Sequence, residues 1–198
     1  MTELDIINDM LASVLEQPVS SVTNLHPSVV TARNTLAMMN IRCQAEGNGW
    51  WFNKEFNYPL TPAADKRIIL PENTLFVDAT DSRKRYVQRG RYLYDAVNHT
   101  DQFDANIKVT ITFLLPIADL PQVAASYVSA AAVHAFFTNE DGEGTKAAKY
   151  AQDVLYTRAV LRTQNITILG LSTYSSPMSA MTFGRGLPGR IAVTGPEE

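Results

Sequence analysis

The 198-residue chain is 45% hydrophobic and 19% charged, with a net charge of −3 and a pI near 5.6. These values fit a globular protein of one domain, or one domain with two sub-structures, and deny it the overall basic footprint of a general nucleic-acid binder. The single cysteine, Cys43, excludes an internal disulfide. No apolar run approaches the ~20 residues needed to span a bilayer, so no membrane partner is expected. The N-terminus lacks the basic-then-apolar order of a signal peptide, so production in a cytoplasm-like compartment is the expectation.

In chain order, residues 3–16 place Leu4, Ile7, Leu11 and Val14 at three- and four-residue steps, which predicts a helix with one apolar face. Residues 17–21 break it. A second helix starts near Pro27, a good first-turn residue, and carries Val29, Ala32, Leu36, Met39 and Cys43 on one side. Gly47-Asn48-Gly49 ends it. From Trp50 the period changes to two. Segments at 50–52, 56–58, 68–70, 75–77, 86–89, 91–94 and 107–115 predict five or six short antiparallel strands with one wet face.

Asp119, with Gln122 three residues on, has the form of a capping box for a third, alanine-rich helix reaching about Phe137. A fourth, about 144–164, is expected to turn Ala148, Ala151, Val154 and Leu155 inward and Lys146, Lys149, Arg158 and Arg162 outward. Residues 170–198 hold five of the ten glycines and three of the ten prolines, with isolated Tyr174, Met178, Met181, Phe183 and Leu187. Such a segment cannot build a core alone. It reads as an extended arm that lies on another surface, and Tyr174, Met178, Met181, Phe183 and Arg185 are its candidate contact residues. The fold class is therefore α+β: a four-helix bundle from both chain ends (1–49 and 117–169), an inserted, mostly antiparallel β-region (50–116), and the arm (170–198).

Charge is unevenly spread. Residues 1–26 carry Glu3, Asp5, Asp9 and Glu16 with no Lys or Arg, whereas 81–95 carry Arg83, Lys84, Arg85, Arg89 and Arg91 against Asp81 and Asp95. The basic hairpin has three readings: a solvated strand face, a contact for an acidic protein surface, or a contact for DNA. The other chemistry-bearing residues favour plain roles. Asp78/Asp81 and Asp101/Asp104 could supply the two carboxyls of a polysaccharide hydrolase, but Asp in turns commonly bonds its own backbone. His26, His99 and His134 have no metal-ligand spacing. No Gly-x-Ser-x-Gly elbow occurs. Gly184–Gly189 lacks the Gly-Lys-Ser/Thr ending of a phosphate loop. Trp50, Trp51 and Phe52 are expected in the core, as is Cys43. No catalytic residue, cofactor or metal is expected.

One stretch stands out: Tyr86-Val87-Gln88-Arg89-Gly90-Arg91-Tyr92-Leu93-Tyr94-Asp95. It resembles the "YVNRGGYVYD" hairpin of the head-to-tail adaptor family of short-tailed, podovirus-type phages, the tail tubular protein A family. Asn8–Val14 followed by Pro18-Val19-Ser20, Ala32-Arg33-Asn34-Thr35-Leu36, Gly49-Trp50 and Asp101-Gln102-Phe103-Asp104 resemble further family stretches in the same order, over about residues 5–165. Arg91 stands where the family hairpin has a second glycine, and the residues beyond about 166 do not align. The resemblance implies a structural virion-tail protein assembled in the host cytoplasm. Twelve copies would form a ring between the portal protein and the tail nozzle, helices toward the portal, with DNA passing through without sequence-specific binding. On that reading the hairpin cations face the nozzle or a neighbouring subunit and the arm faces the portal. A tail-associated polysaccharide hydrolase is the alternative.

Overall fold

Two helices, five strands and two further helices follow one another in the structure, a computed structural model that describes residues 1–140, 142 and 144–170. Helix α1 (Glu3–Ser13) is opened by a capping box: the Thr2 hydroxyl accepts the Asp5 amide, and the Asp5 carboxylate accepts the Thr2 amide at 2.7 Å. It buries Ile7 and Leu11 of the expected stripe together with Ile6 and Met10, and leaves Leu4 and Val14 half-buried. Helix α2 (Pro27–Ala45) buries Val29, Ala32, Leu36, Met39 and Cys43 as their spacing predicts. A 3₁₀ turn at Glu46–Asn48 then leads to Gly49, whose φ of 101° and ψ of 173° are open to glycine almost alone.

Strands β1 (Lys54–Leu60), β5 (Ile107–Phe113) and β2 (Thr74–Ala79) form an antiparallel sheet with β5 central. Strands β3 (Tyr86–Arg89) and β4 (Tyr92–Asp95) form a separate hairpin. Two expected strands are absent. Residues 51–53 form a turn, and 68–70 contribute only a bridge from Ile69 to Tyr92. Their apolar residues are used otherwise: Trp50 enters the helical core, and Ile68 and Leu70 are buried under the hairpin.

Helix α3 (Gln122–Glu140) does not use Asp119 as its cap. Asp119 closes a 3₁₀ turn (Ile117–Asp119), and the helix begins after Pro121, whose carbonyl accepts the Ala125 amide. Proline offers no amide to cap and has a helical φ already, so it displaces the Asp-based start. Helix α3 is the hub of the helical layer, packing against α1, α2 and α4 (Thr145–Ile168).

The described residues form two apolar cores. The helical one joins α1, α2 and α3 with Trp50 and Leu161; the other joins β2, β5 and the hairpin around Ile68, Leu93, Val109 and Ile111. Each fully buried leucine or isoleucine stabilises its core by roughly 1.5–3 kcal/mol. The joint between the cores is polar. Gln44 accepts the Leu115 amide (2.9 Å) and donates to the Leu115 carbonyl (2.8 Å). Asn53 accepts the Trp50 amide and donates to the carbonyls of Gln44 and Phe113. These two buried amides satisfy backbone groups where the chain enters and leaves the β-region.

Candidate interaction surfaces: the basic hairpin and the outer face of α4

Arg89 pairs with Tyr92 across the hairpin, so Gly90-Arg91 is a two-residue turn. Of these two residues only Gly90 takes a positive φ, 61°. A hairpin turn with glycine at its first central position tolerates an ordinary residue at the second. That accounts for Arg91 in place of glycine.

The five cations are not equivalent. Arg83 is paired with Asp81 at 3.2 Å, and its hydrogen bonds, followed by its charge, hold the Asp81 carboxyl below the usual carboxylate value. Arg91 reaches Glu72 at 3.1 Å. The Arg89 guanidinium lies 3.4 Å from the centre of the Tyr94 ring, a stacked cation–π contact. Lys84 adds its charge near Asp95 and Asp81. The Arg85 side chain makes no hydrogen bond or ion pair among the described residues, while its carbonyl accepts the Ala96 amide. The hairpin therefore presents Lys84 and Arg85 most freely, with Arg89 and Arg91 held at the tip.

Asp95 anchors the hairpin base. Burial opposes its charge, but the amides of Asn98 and Val97 and the Asn98 side chain overcome this and lower its pKa. Of the four carboxylates weighed for hydrolysis, Asp78 lies exposed on β2 and the other three are held as ion pairs or turn acceptors. Asp101 pairs with Arg67 at 3.0 Å, Asp104 with Lys66 at 2.8 Å, and Asp81 accepts the Arg83 amide. His26 precedes α2, His99 sits in the turn after β4 and His134 is half-buried on α3. No group of three His, Cys, Asp or Glu residues able to hold a metal occurs among the described residues. Cys43 is buried, and burial is the main cause pushing its thiol up to about 12. Trp50 is buried, donating to the Cys43 carbonyl at 2.7 Å.

Helix α4 sits differently from expectation. Leu155 is 63% exposed and Ala148 is exposed, while Arg158, expected outside, donates to Glu46 at 2.7 Å. Tyr127 donates to the same carboxylate at 2.9 Å. Burial works against a charged Glu46, but the Arg158 and Tyr127 hydrogen bonds and the charges of Arg158 and Arg162 prevail and lower its pKa. Anchored by that pair, the helix turns Ala151, Val154, Arg158 and Leu161 inward, and Leu161 is its one buried residue. Leu155, Tyr156 (71% exposed), Val160 and Ile166 remain on the outside. The sequence held the signal: Ala148, Leu155, Ala159 and Ile166 form a second stripe in helical phase. The expected face mixed the two.

The candidate arm residues Tyr174, Met178, Met181, Phe183 and Arg185 lie outside the described residues.

Comparison with known proteins decides the family. A model of the tail tubular protein family matches residues 4–170, from α1 through the β-region and hairpin to the end of α4. The chain belongs to the tail tubular protein family. It is also 34% identical over 163 residues to tail tubular protein A of Klebsiella phage KP34, covering 82% of this chain and 86% of that protein. Membership makes it a structural component of the virion tail, as the hairpin resemblance implies.

Proposed function

We propose that this tail tubular protein is the head-to-tail adaptor of its virion: a ring, expected to hold twelve copies, between the portal protein and the tail nozzle, through which DNA passes without sequence-specific contacts. The observation that supports this reading most is the family match over both the helical and β-structured parts, hairpin included. In this reading the helices meet the portal with the help of the 170–198 arm. The hairpin cations Arg83, Lys84, Arg85, Arg89 and Arg91 meet the nozzle or a neighbouring subunit. Subunits are made in the host cytoplasm and join the virion there. The task is mechanical, converting the portal rim into a surface the nozzle can recognise.

Exposed ion pairs contribute only ~0–1 kcal/mol each, but ring symmetry multiplies them. Nozzle docking is therefore salt-sensitive, and Lys84→Glu with Arg85→Glu weakens it without unfolding the chain, since neither side chain is held in an ion pair among the described residues. The primary test mixes the purified chain with its cognate portal and counts bound copies by native mass measurement or electron microscopy. Twelve copies per portal support the adaptor reading; no binding to an intact portal refutes it. Removal of 170–198 is expected to leave the fold intact and abolish portal binding.

A further inference from the structure

The loop between α1 and α2 contains two unfavourable choices in one residue. Helix α1 ends with the Glu16 amide bonded to the Leu11 carbonyl and the Leu15 amide to the Ala12 carbonyl. This is the arrangement in which glycine normally takes the left-handed position. Here that position is Leu15, with φ of 63°. Its side chain is 89% exposed, and Leu25, later in the loop, is 85% exposed. Neither backbone sterics nor the chain's own core accounts for a leucine there.

The loop that carries the leucines is well fixed. Both the amide and the carbonyl of Val19 are held by the Asn8 side chain, and Ser28 donates to Glu16 at 2.7 Å. It is a rigid apolar knob beside the Glu16 carboxylate, at the end of a helix that carries Glu3, Asp5 and Asp9 and no Lys or Arg.

A matching socket lies elsewhere on the chain. Gln122, Val123 and Ser126 of α3 with Tyr156, Thr157 and Val160 of α4 line a mostly apolar groove of about 240 Å³. On its helix α4, Arg158 is taken up by Glu46 and Lys146 by the Ser13 carbonyl, which leaves Lys149 and Arg162 as the outward cations against Asp153. The chain's own knob is out of reach. Lys146 donates to the Ser13 carbonyl, which fixes the end of α1 beside the start of α4. Tyr156 and Val160 are ten to fourteen residues further along, ~15–21 Å at 1.5 Å per residue. A knob and a socket at separate places on one chain make a head-to-tail contact between copies, and such contacts build rings.

We propose that the α1–α2 loop of one copy, with Leu15 foremost, inserts into the α3/α4 groove of a second copy, acidic α1 facing basic α4. The inference rests on the ring reading and assigns the subunit interface within it.

The test is directional cross-linking of the full chain. Leu15→Cys and Val160→Cys variants are mixed under mild oxidation, with buried Cys43 in both, and compared with Leu15→Cys mixed with Lys84→Cys on the hairpin. Disulfide dimers are expected several-fold faster in the first mixture. Equal yields, or faster pairing of Val160→Cys with itself, overturn the proposal. A second variant separates docking from folding. Leu15→Gly relieves the backbone strain, so it is expected to raise the melting temperature while weakening self-association at least tenfold. Leu15→Gly and Val160→Glu that load a portal with the full copy number, and with wild-type neighbour contacts, overturn this interface and leave the ring reading standing. Failure of the wild-type chain to load the portal overturns the ring reading itself.

Discussion

Two glycines two residues apart give a controlled measure of what the α2-to-β1 crossing demands. Gly47 has φ of 61° and open space where a Cβ would stand. Gly47→Ala thus costs only the left-handed backbone, ~1–2 kcal/mol. At Gly49 the backbone is in a region open to glycine almost alone, which costs an alanine about 1–3 kcal/mol. An added Cβ would also stand 2.4 Å from the Thr112 methyl and 3.0 Å from its hydroxyl. Thr112 cannot swing away freely, because it is buried in β5 and its hydroxyl donates to the Asn48 carbonyl at 2.8 Å. Forcing it aside adds about 1–3 kcal/mol of overpacking. Gly49→Ala is therefore expected to lose about 2–6 kcal/mol in urea titration, a drop of roughly 10 °C in melting temperature at 2–4 °C per kcal/mol. Equal losses at the two positions would refute the reasoning, since the φ values alone would then set the cost.

Three further outcomes follow from the helical layer and its joint. Asn53→Ala leaves the Trp50 amide and the carbonyls of Gln44 and Phe113 without their side-chain partner, and is expected to cost about 1–3 kcal/mol by chemical denaturation. Leu161→Ala empties the one buried site of α4 and is expected to cost about 2–5 kcal/mol, read by the same method. The Glu46 carboxyl is lowered in the folded chain, so its stabilisation is full above its unfolded value of ~4.3 and is lost as pH falls through the folded value. Glu46→Gln is expected to cost about 1 kcal/mol at neutral pH, after allowance for solvent screening of Arg158. The two stability curves should close on each other in acid; parallel curves down to the folded value would contradict the assignment.

Much of the architecture was legible because it is local. Pro27 and the Val29–Cys43 spacing mark α2, the alternation of 107–113 marks β5, and Gly90 marks the hairpin turn. The family hairpin was legible for the same reason, ten consecutive residues in one element. What the sequence hid is non-local. Helix α4 has two apolar stripes, and the choice between them is made by Glu46, 112 positions from Arg158. Asp119 has cap chemistry, but Pro121 two residues on takes the helix start. Arg67 meets Asp101 and Lys66 meets Asp104 only because the hairpin and its flanking loops fold together. Leu15 gives no warning either, since its left-handed backbone appears where glycine is the usual sign.

The polar joint has a bearing on how this family can diverge. Gln44 and Asn53 grip Phe113 and Leu115, so the chain leaves the helices and returns to them at one neck. Lengthening of the loops beyond that neck adds only closure entropy, ~0.6 kcal/mol for each doubling of loop length. Insertions between the strands can accumulate without displacing a helix. A lineage can thereby remodel the end that carries the hairpin while the helical end keeps its shape.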